Sequence, residues 1–449
     1  MQIKKGYLII SIVLVLLLCV AQVLGSTVLI LPCLAVFLAL IGWGCSDNYT
    51  LPLLLFFLPW SPILKTSPTG YSFFTFGLVL ICAISILKKR FHIKKYPIVA
   101  GIVLVFLSLL SKVIDGYSLS FDYIAFMMLI VLFPVVKGEW TVKKYNFYQI
   151  VAFFSLGIII AAFAALLLET FPNIARYIRV ASYSTITRRC GFYGDSNFYT
   201  AQITAALGGC LVMMLKEHKR GRIVFLGIVT VLLLYCGFLS ASKSFVIVAA
   251  CEVVLWFIEV LRMRGRVAFK ITLLVSIVVI AAFIATSAVF GELIEVVLTR
   301  FSYSSDLESF TTGRTLLWQS YIEEILSNVK VFFLGKGFTN VKVDGRGSHN
   351  TLLQIFFQFG FLGVPFLIYW MVSFFRGASH KGRRRKLRYP ELLILAIGIF
   401  LPWIAIDVLF FDEFFLLQWY MFSALQQFQH TDMIRPVDRE DTYGRANKE

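Results

Sequence analysis

Apolar runs recur along the chain from near its N-terminus almost to its C-terminus, and short polar segments separate them. A run of roughly 18 to 22 apolar residues is long enough to cross about 30 Å of hydrocarbon as an α-helix. Membrane-spanning strands alternate apolar and polar positions instead, so this pattern predicts helices. We therefore predict an all-α integral membrane protein with about 14 transmembrane helices. The predicted spans are residues 7–24, 27–43, 50–64, 70–87, 97–114, 121–136, 147–168, 198–215, 223–240, 245–261, 267–290, 351–375, 390–410 and 413–428.

The polar segments between these runs carry charge unevenly. Alternate segments are rich in Lys and Arg, which is the pattern of cytoplasmic loops in membrane proteins. The basic segments are residues 88–96, 137–146, 216–222, 262–266 and 376–388. Together with the even number of spans, this alternation predicts that both termini lie in the cytoplasm. We expect a multi-pass inner-membrane protein.

Composition supports a lipid-embedded chain. Of the 449 residues, 59% are hydrophobic and 15% charged, and the mean hydropathy is +0.82. The net charge of +17 could suggest a nucleic-acid partner. Because most of the basic residues fall on one predicted side of the membrane, we expect none. The eight cysteines are scattered without a CxxC pair, so the sequence predicts no disulfide framework, no metal site and no cofactor.

Two predicted outer segments are much longer than a connection between neighbouring helices requires. They are residues 169–197 and residues 291–348, and long surface segments often carry function. Around them, residues 1–168, 198–290 and 349–428 supply the predicted spans. Residues 429–449 form a predicted cytoplasmic tail.

The longer outer segment contains a predicted surface helix, from about Arg314 to Val329. We expect Thr311 or Thr312 to cap its start. The Gly-Lys-Gly sequence at 335–337 should form a turn before the chain re-enters the bilayer. The apolar positions that share one face of this helix are Leu317, Tyr321 and Ile325.

The first group of candidate functional residues lies where the shorter outer segment meets the next span. It contains Arg188, Arg189, Asp195 and Asn197, with glycines between them. Guanidinium groups bind phosphate bidentately, and glycines allow backbone amides to approach a ligand closely. The alternative is a pair of outward arginines that merely flank a helix.

The second candidate is Lys243, in the tight connection Ser240–Ser244 between two predicted spans. This connection is so short that the lysine should lie at the outer membrane surface or just inside it. A cation there opposes the usual bias toward the cytoplasmic side. The alternative is a lysine that extends its amine to lipid headgroups.

The third group ends the longer outer segment and contains Arg314, His349 and Asn350. His349 is the only histidine in a predicted outer segment. An imidazole with a pKa near 6.5 can exchange a proton at neutral pH. The alternative is a helix cap with an uninvolved histidine. All three groups fall on the face that the other charges avoid, and this convergence favours function.

At these residues the chain resembles the O-antigen ligase and O-antigen polymerase family. That family shares an Arg-x-x-Gly-x-x-x-x-x-Asn stretch, matched by residues 188–197 with its spacing intact. It also has a large outer loop ending in His-Asn, matched by Gly-Arg-x-x-x-Trp at 313–318, Gly-x-Gly at 335–337 and His-Asn at 349–350. The resemblance covers roughly residues 185–375. It departs at Lys243, where the family often has arginine, and this change loses the bidentate fork.

The resemblance implies a membrane glycosyltransferase that uses an undecaprenyl-diphosphate-linked oligosaccharide as donor and polymerises or ligates a surface polysaccharide. In that role Arg188, Lys243 and Arg314 would hold the diphosphate, with Arg189 beside them, and His349 would orient or deprotonate the acceptor hydroxyl. Asp195, Asn197 and Asn350 would position an arginine or a sugar. The implied transfer is metal-independent and inverting. The implied partners are the lipid-linked substrate, membrane lipids, a flippase and a chain-length regulator.

Two other classes of protein fit the same pattern. A polysaccharide flippase or another transporter would also have many spans and outward cations, and the intramembrane acids Glu252 and Asp407 keep this alternative open. Transporters typically have paired repeats and helices broken near the midplane. We predict neither from the sequence. A membrane scaffold is the third alternative, but it leaves the long histidine-bearing segment without a purpose.

Overall fold

The computed structural model describes residues 4–88, 95–116, 119–136, 147–178, 181–183, 186–262, 291, 295, 298–299, 301–302, 311, 313–338, 341–376 and 389–431. Their first helices are α1 (Lys5–Leu24), α2 (Thr27–Ser46), α3 (Thr50–Phe57), α4 (Phe73–Leu87), α5 (Lys95–Asp115), α6 (Phe121–Val136), α7 (Phe147–Leu168), α8 (Pro172–Ala175), α9 (Ser196–Lys216), α10 (Arg220–Leu239) and α11 (Lys243–Arg262). The later ones are α12 (Arg314–Ser327), α13 (Val329–Leu334), α14 (Thr351–Arg376), α15 (Tyr389–Phe400) and α16 (Asp412–Thr431).

The described part of the chain is helical apart from one small hairpin. Its strands, β1 (Ala181–Tyr183) and β2 (Ile186–Arg188), pair antiparallel with Ala181 opposite Arg188. Short 3-10 turns continue two of the helices, Leu58–Trp60 after α3 and Leu401–Ile404 after α15. The all-helical prediction is therefore confirmed for the described residues.

Eight of the described helices are long and apolar enough to cross a membrane, by length and composition. They are α1, α2, α5, α7, α9, α10, α11 and α14. Shorter apolar helices coincide with the predicted spans at 50–64, 70–87, 121–136 and 390–410. Helix α16 has 20 residues but is more polar. The predicted span at 267–290 lies outside the described residues. These long apolar helices make the chain a multi-pass membrane protein.

Helix α3 is much shorter than the span predicted at 50–64. Every residue from Thr50 to Trp60 is buried, so this segment is enclosed by protein and does not face lipid. Helix α7 approaches it so closely that a Cβ on Gly157 would overlap the backbone oxygen of Phe56. A short helix is tolerated here because its neighbours shield the backbone groups beyond its ends.

Polar contacts show which helix ends lie together at each end of the bundle. One of them, the Lys4 end, has the ion pairs Lys4–Asp47 at 2.7 Å and Lys216–Glu391 at 3.0 Å. The other is the His349 end. Its contacts are Thr75 with Asp412 at 3.1 Å, Asn173 with the carbonyl of Val23 at 3.0 Å and Lys330 with Asp115 at 2.6 Å. Glu169, Asn197 and Ser348, where the long outer segments adjoin described helices, lie at the His349 end. The described basic residues of the predicted cytoplasmic segments lie at the Lys4 end.

The surface helix predicted in the longer outer segment is present as α12. Its buried residues are Leu317, Tyr321 and Ile325, as the helical spacing predicts. The predicted threonine cap is wrong, because the capping position is Gly313, with a φ of 75° and no side-chain hydrogen bond. Thr311 instead lies 3.3 Å from the hydroxyl of Thr315, and Thr312 lies outside the described residues.

Helix α14 is interrupted at Gly360, whose φ of 60° and ψ of −176° are not helical. The carbonyls exposed by this interruption accept hydrogen bonds from the Gly-Lys-Gly turn: Lys336 N lies 2.9 Å from Phe357 O, and Gly337 N lies 2.9 Å from Gln358 O. The prediction that no spanning helix is broken is therefore wrong. The break depends on a partner segment more than twenty residues earlier, which helical periodicity does not reveal.

Candidate active site

Arg188 joins the first candidate group to the second. It is the last residue of β2, and its Nε donates to the carbonyl oxygen of Ser240 at 3.1 Å. A second guanidinium nitrogen donates to the hydroxyl of Ser196, the first residue of α9. The backbone amide of Arg189 donates to Leu239 O at 3.0 Å. The end of the hairpin is thus fixed between α9 and the connection from α10 to α11.

Arg189 points away from Arg188. Its guanidinium forms an ion pair with Glu169, at the end of α7, at 3.3 Å. It lines a small cavity with Cys190 and Tyr199. Successive residues of an extended chain project to opposite sides, which accounts for the separation of the two arginines. The structure therefore does not bring Arg189 into the cluster formed by the other candidates.

Asp195 caps α9 and also contributes charge to the cluster. Its Oδ1 accepts a hydrogen bond from the backbone amide of Asn197 at 2.7 Å, which satisfies a free N–H at the helix start. Its carboxylate also raises the pKa values of Arg314 and His349, so both lie within its electrostatic range. A helix cap therefore does not exclude a role in the site.

Asn197 binds the connection that carries Lys243. Its Oδ1 accepts hydrogen bonds from the hydroxyls of Ser242 at 3.0 Å and Ser244 at 3.2 Å. These two hydroxyls lie 2.9 Å apart. Ala241, beside them, has a left-handed φ of 48°, as a turn this tight requires.

Lys243 follows as the half-buried first residue of α11, and its Nζ lies 5.8 Å from the ring centroid of Phe301. Asn197 thus holds the turn immediately before and after this lysine. It acts on Lys243 through the backbone of the turn, and its own amide oxygen is occupied by the two serines.

Arg314 begins α12 and brings the longer outer segment to the same place. Burial lowers its pKa, while nearby Asp195 raises it and Arg188 lowers it further. A guanidinium remains charged despite such a shift, because its ordinary pKa is above 12. Arg188 and Arg314 are more than 120 residues apart in the sequence. Both nevertheless lie in one half-buried cluster, together with the carboxylate of Asp195.

His349 occupies a constrained position beside this cluster. Its φ of 48° is uncommon for a residue with a Cβ. The preceding carbonyl, of Ser348, accepts a hydrogen bond from Trp318 Nε1 at 3.0 Å, and this contact ties the histidine to α12. Burial lowers the imidazole pKa, and the charge of Arg314 lowers it further. The imidazole is therefore neutral at pH 7 and able to accept a proton.

Asn350 is a helix cap. Its Oδ1 accepts hydrogen bonds from the backbone amides of Leu352 at 3.0 Å and Leu353 at 3.1 Å, at the start of α14. The cap that the sequence left as an alternative is therefore present. The histidine beside it is nonetheless coupled to Arg314 and Asp195, so the cap orients the residue that precedes it.

No protein-family model matches this chain, and no curated protein matches it.

Asp407 is a further acidic group at the His349 end that the candidate groups did not include. It lies in the connection between α15 and α16, where Thr351 donates to the carbonyl of Ile406 at 2.7 Å and accepts from the amide of Val408 at 3.1 Å. The sequence placed this acid inside a predicted span, so only the contact with Thr351 reveals that it lies next to the segment carrying His349.

The site combines two guanidinium groups, one carboxylate and a neutral imidazole, with Lys243 held nearby by the Asn197 contacts. Fixed cations in a partly buried site bind an anion and stabilise charge that develops on it. A neutral imidazole accepts a proton from an attacking hydroxyl. Together these groups suit transfer from a phosphorylated donor to a hydroxyl acceptor.

Proposed function

We propose that this protein is a membrane glycosyltransferase that uses an undecaprenyl-diphosphate-linked oligosaccharide as donor and polymerises or ligates a surface polysaccharide, such as O-antigen, capsule or exopolysaccharide. One observation carries the proposal: Arg314 lies within electrostatic range of Arg188, Asp195 and His349, which come from two other segments of the chain. These residues belong to the two motifs that resemble the O-antigen ligase and polymerase family.

In this proposal Arg188 and Arg314 bind the diphosphate. Planar guanidinium groups match phosphate oxygens bidentately and remain charged when partly buried. Lys243 adds a single positive charge from the neighbouring turn. As the bond between the anomeric carbon and the diphosphate oxygen breaks, the electron pair leaves with the diphosphate. The fixed cations stabilise that charge without reorganising.

His349 acts as the general base. Its neutral imidazole takes the proton from the acceptor hydroxyl while that oxygen attacks the anomeric carbon from the face opposite the diphosphate. The products are a glycosidic bond with inverted configuration, lipid diphosphate and an imidazolium. Asp195 stabilises the imidazolium, since its carboxylate lies within range of His349. The donor itself supplies the free energy, so the proposal needs no metal and no cofactor.

We also propose fourteen membrane crossings, with both termini in the cytoplasm and the His349 end outside the bacterial inner membrane. The alternating basic segments support this orientation. The ion pairs at the Lys4 end and the candidate site at the other end agree with it. A flippase that delivers the lipid-linked substrate and a chain-length regulator are the partners expected for such an enzyme.

The test supplies purified protein in vesicles with a lipid-diphosphate oligosaccharide and measures glycosidic bond formation. We expect wild-type protein to extend or transfer the glycan, and His349→Ala and Arg314→Ala to lose this activity. Arg262→Ala is the matched control, because Arg262 pairs with Glu259 at the Lys4 end and its side chain is 70% exposed. Equal loss of activity in the control variant would contradict a site at the His349 end.

A polysaccharide transporter is the second candidate, and two observations favour it. Helix α14 is broken at Gly360, as spanning helices of transporters often are. Glu252, in α11, is fully buried, and neither carboxyl oxygen has a hydrogen-bond partner within the described part of the chain. Movement of labelled lipid-linked glycan across the vesicle membrane, with no new glycosidic bond, would favour the transporter.

A further inference from the structure

The helices of the longer outer segment expose an apolar edge. Four exposed apolar residues follow one side of α12 and α13: Ile322 at 46%, Leu326 at 66%, Val329 at 72% and Phe333 at 43%. A fifth, Leu316 at 54%, lies on the side of Gln319 and Glu323. Another side of α12 exposes polar residues, with Gln319 donating to Glu323 at 2.8 Å. Contiguous exposed apolar surface on a folded protein marks contact with a partner or with a membrane.

This segment extends inward from the helix ends. The carbonyl of Gly335 accepts a hydrogen bond from Ser111 at 2.7 Å, and Gly335 lies directly against Gly360. Gly360 is nine residues from the start of α14, about 13 Å at 1.5 Å per residue. Gly337 lies against the backbone of Ser108, which is seven residues, about 10 Å, from the end of α5. Two spanning helices thus place the Gly-Lys-Gly turn at a similar depth.

The exposed edge is continuous with the outer surface of a spanning helix. Phe361 of α14 is 54% exposed. Its ring stacks on Phe332 with centroids 6.0 Å apart and meets Phe333 at 6.3 Å. An exposed aromatic residue in a membrane-spanning helix faces hydrocarbon, so its neighbour Phe333 faces the same medium.

Two lysines of the segment form ion pairs with carboxylates. Lys330 pairs with Asp115 at the end of α5 at 2.6 Å, and Lys336 pairs with Glu324 of α12 at 2.7 Å. Unpaired charges inside a bilayer are costly, and lysines near its edge reach toward polar partners. The two glycines of the turn are themselves buried in protein, which is the condition under which non-helical backbone persists at membrane depth.

We propose that α12, α13 and the turn at 335–337 form a re-entrant hairpin whose apolar edge, Ile322, Leu326, Val329 and Phe333, contacts the acyl chains of the membrane leaflet at the His349 end. The occupant of this surface is bulk lipid. The proposal replaces the expectation that the whole segment 291–348 lies outside the bilayer, and it holds whichever activity the site has.

The first test uses the unmodified full chain in phosphatidylcholine vesicles containing a phospholipid with a diazirine in its acyl chain. After irradiation, mass spectrometry locates the labelled peptides. We expect labels within residues 326–333 as well as on the exposed apolar face of α1. Labels on α1 with none in residues 326–333 would overturn the proposal.

The second test places the photoreactive residue on the protein, as benzoylphenylalanine at position 326 or 333. We expect lipid adducts from both. The same photoreactive residue at position 323, where the exposed polar Glu323 of α12 stands, should give at least five-fold fewer lipid adducts. At position 338, where Phe338 is fully buried, it should give almost no lipid adducts. Crosslinks to a second copy of the chain at 333, or equal lipid adducts at 323 and 333, would contradict lipid contact along this edge.

Discussion

The hydroxyl of Ser242 donates a hydrogen bond to Oδ1 of Asn197 across 3.0 Å, and this contact joins the start of α9 to the turn between α10 and α11. Ser244 donates to the same oxygen, so one amide holds both sides of Lys243. Two motifs that are separate in the sequence are therefore one structural unit at the His349 end.

Asn197→Ala should impair transfer without removing any charge. The substitution removes the acceptor that the hydroxyls of Ser242 and Ser244 share. Because these hydroxyls can still bond to each other, one of them loses its acceptor, which costs about 1–3 kcal/mol. We expect kcat/KM to fall about 10- to 100-fold, mainly through KM for the donor because Lys243 loses its position. Asn197→Asp keeps the acceptor oxygen and should recover part of the activity. Unchanged kinetics in Asn197→Ala would show that the turn is held by other contacts.

Substituting the two neighbouring arginines, Arg188 and Arg189, should lower transfer activity to different extents. Arg188→Ala should lower transfer about 100- to 1,000-fold, the usual cost of removing one group that stabilises developing charge. Arg189→Ala should lower it by less than about three-fold, within the range of an exposed ion pair, because Arg189 pairs with Glu169 outside the cluster. Steady-state kinetics of the two purified variants make the comparison. Similar losses in both would mean that the diphosphate lies between them.

His349→Ala should lower kcat about 10²- to 10⁴-fold, the usual contribution of a general base. Its KM for the donor should change little, since the arginines remain. His218→Ala is the control, because His218 is exposed at the Lys4 end. A fall in donor affinity with little change in kcat would instead assign His349 to binding.

The pH dependence should report the environment of His349. Its pKa lies below 6.5, so activity should persist below that pH and fall only as the imidazole becomes protonated. Arg346 contributes to this lowering from an exposed position. In Arg346→Gln the pKa of His349 should rise, and the acidic limb of the pH–rate profile should move to higher pH. A shift in the opposite direction would contradict this role for Arg346.

Gly360→Ala should destabilise the protein. A Cβ at this position would lie 2.5 Å from the carbonyl oxygen of Phe333, and the backbone conformation there is essentially restricted to glycine. The strain alone costs about 1–3 kcal/mol, so the Tm in detergent should fall. Gly227→Ala, on α10 with open space around its Cα, should leave the Tm unchanged or slightly higher. An unchanged Tm in Gly360→Ala would mean that the Gly-Lys-Gly turn shifts to accommodate the methyl group without loss of stability.

The sequence by itself determined the elements whose origin is local. Apolar runs of membrane length predicted the spans, and the spacing of Leu317, Tyr321 and Ile325 predicted which face of α12 is buried. It also predicted which charged groups gather at one end, because the side that each segment occupies follows from counting spans. These properties depend on residues a few positions apart or on composition, so no tertiary contact is needed to infer them.

Only the tertiary structure decided how those elements meet. Gly360 interrupts α14 because Gly335 packs against it, and Arg189 leaves the cluster because Glu169 lies within reach of its guanidinium. The environment of His349 likewise depends on Arg314 and Asp195, which no periodic pattern connects to it. Each of these outcomes comes from contacts between segments 20 or more residues apart. Such contacts are set by the packing of the whole bundle, and local sequence carries no record of them.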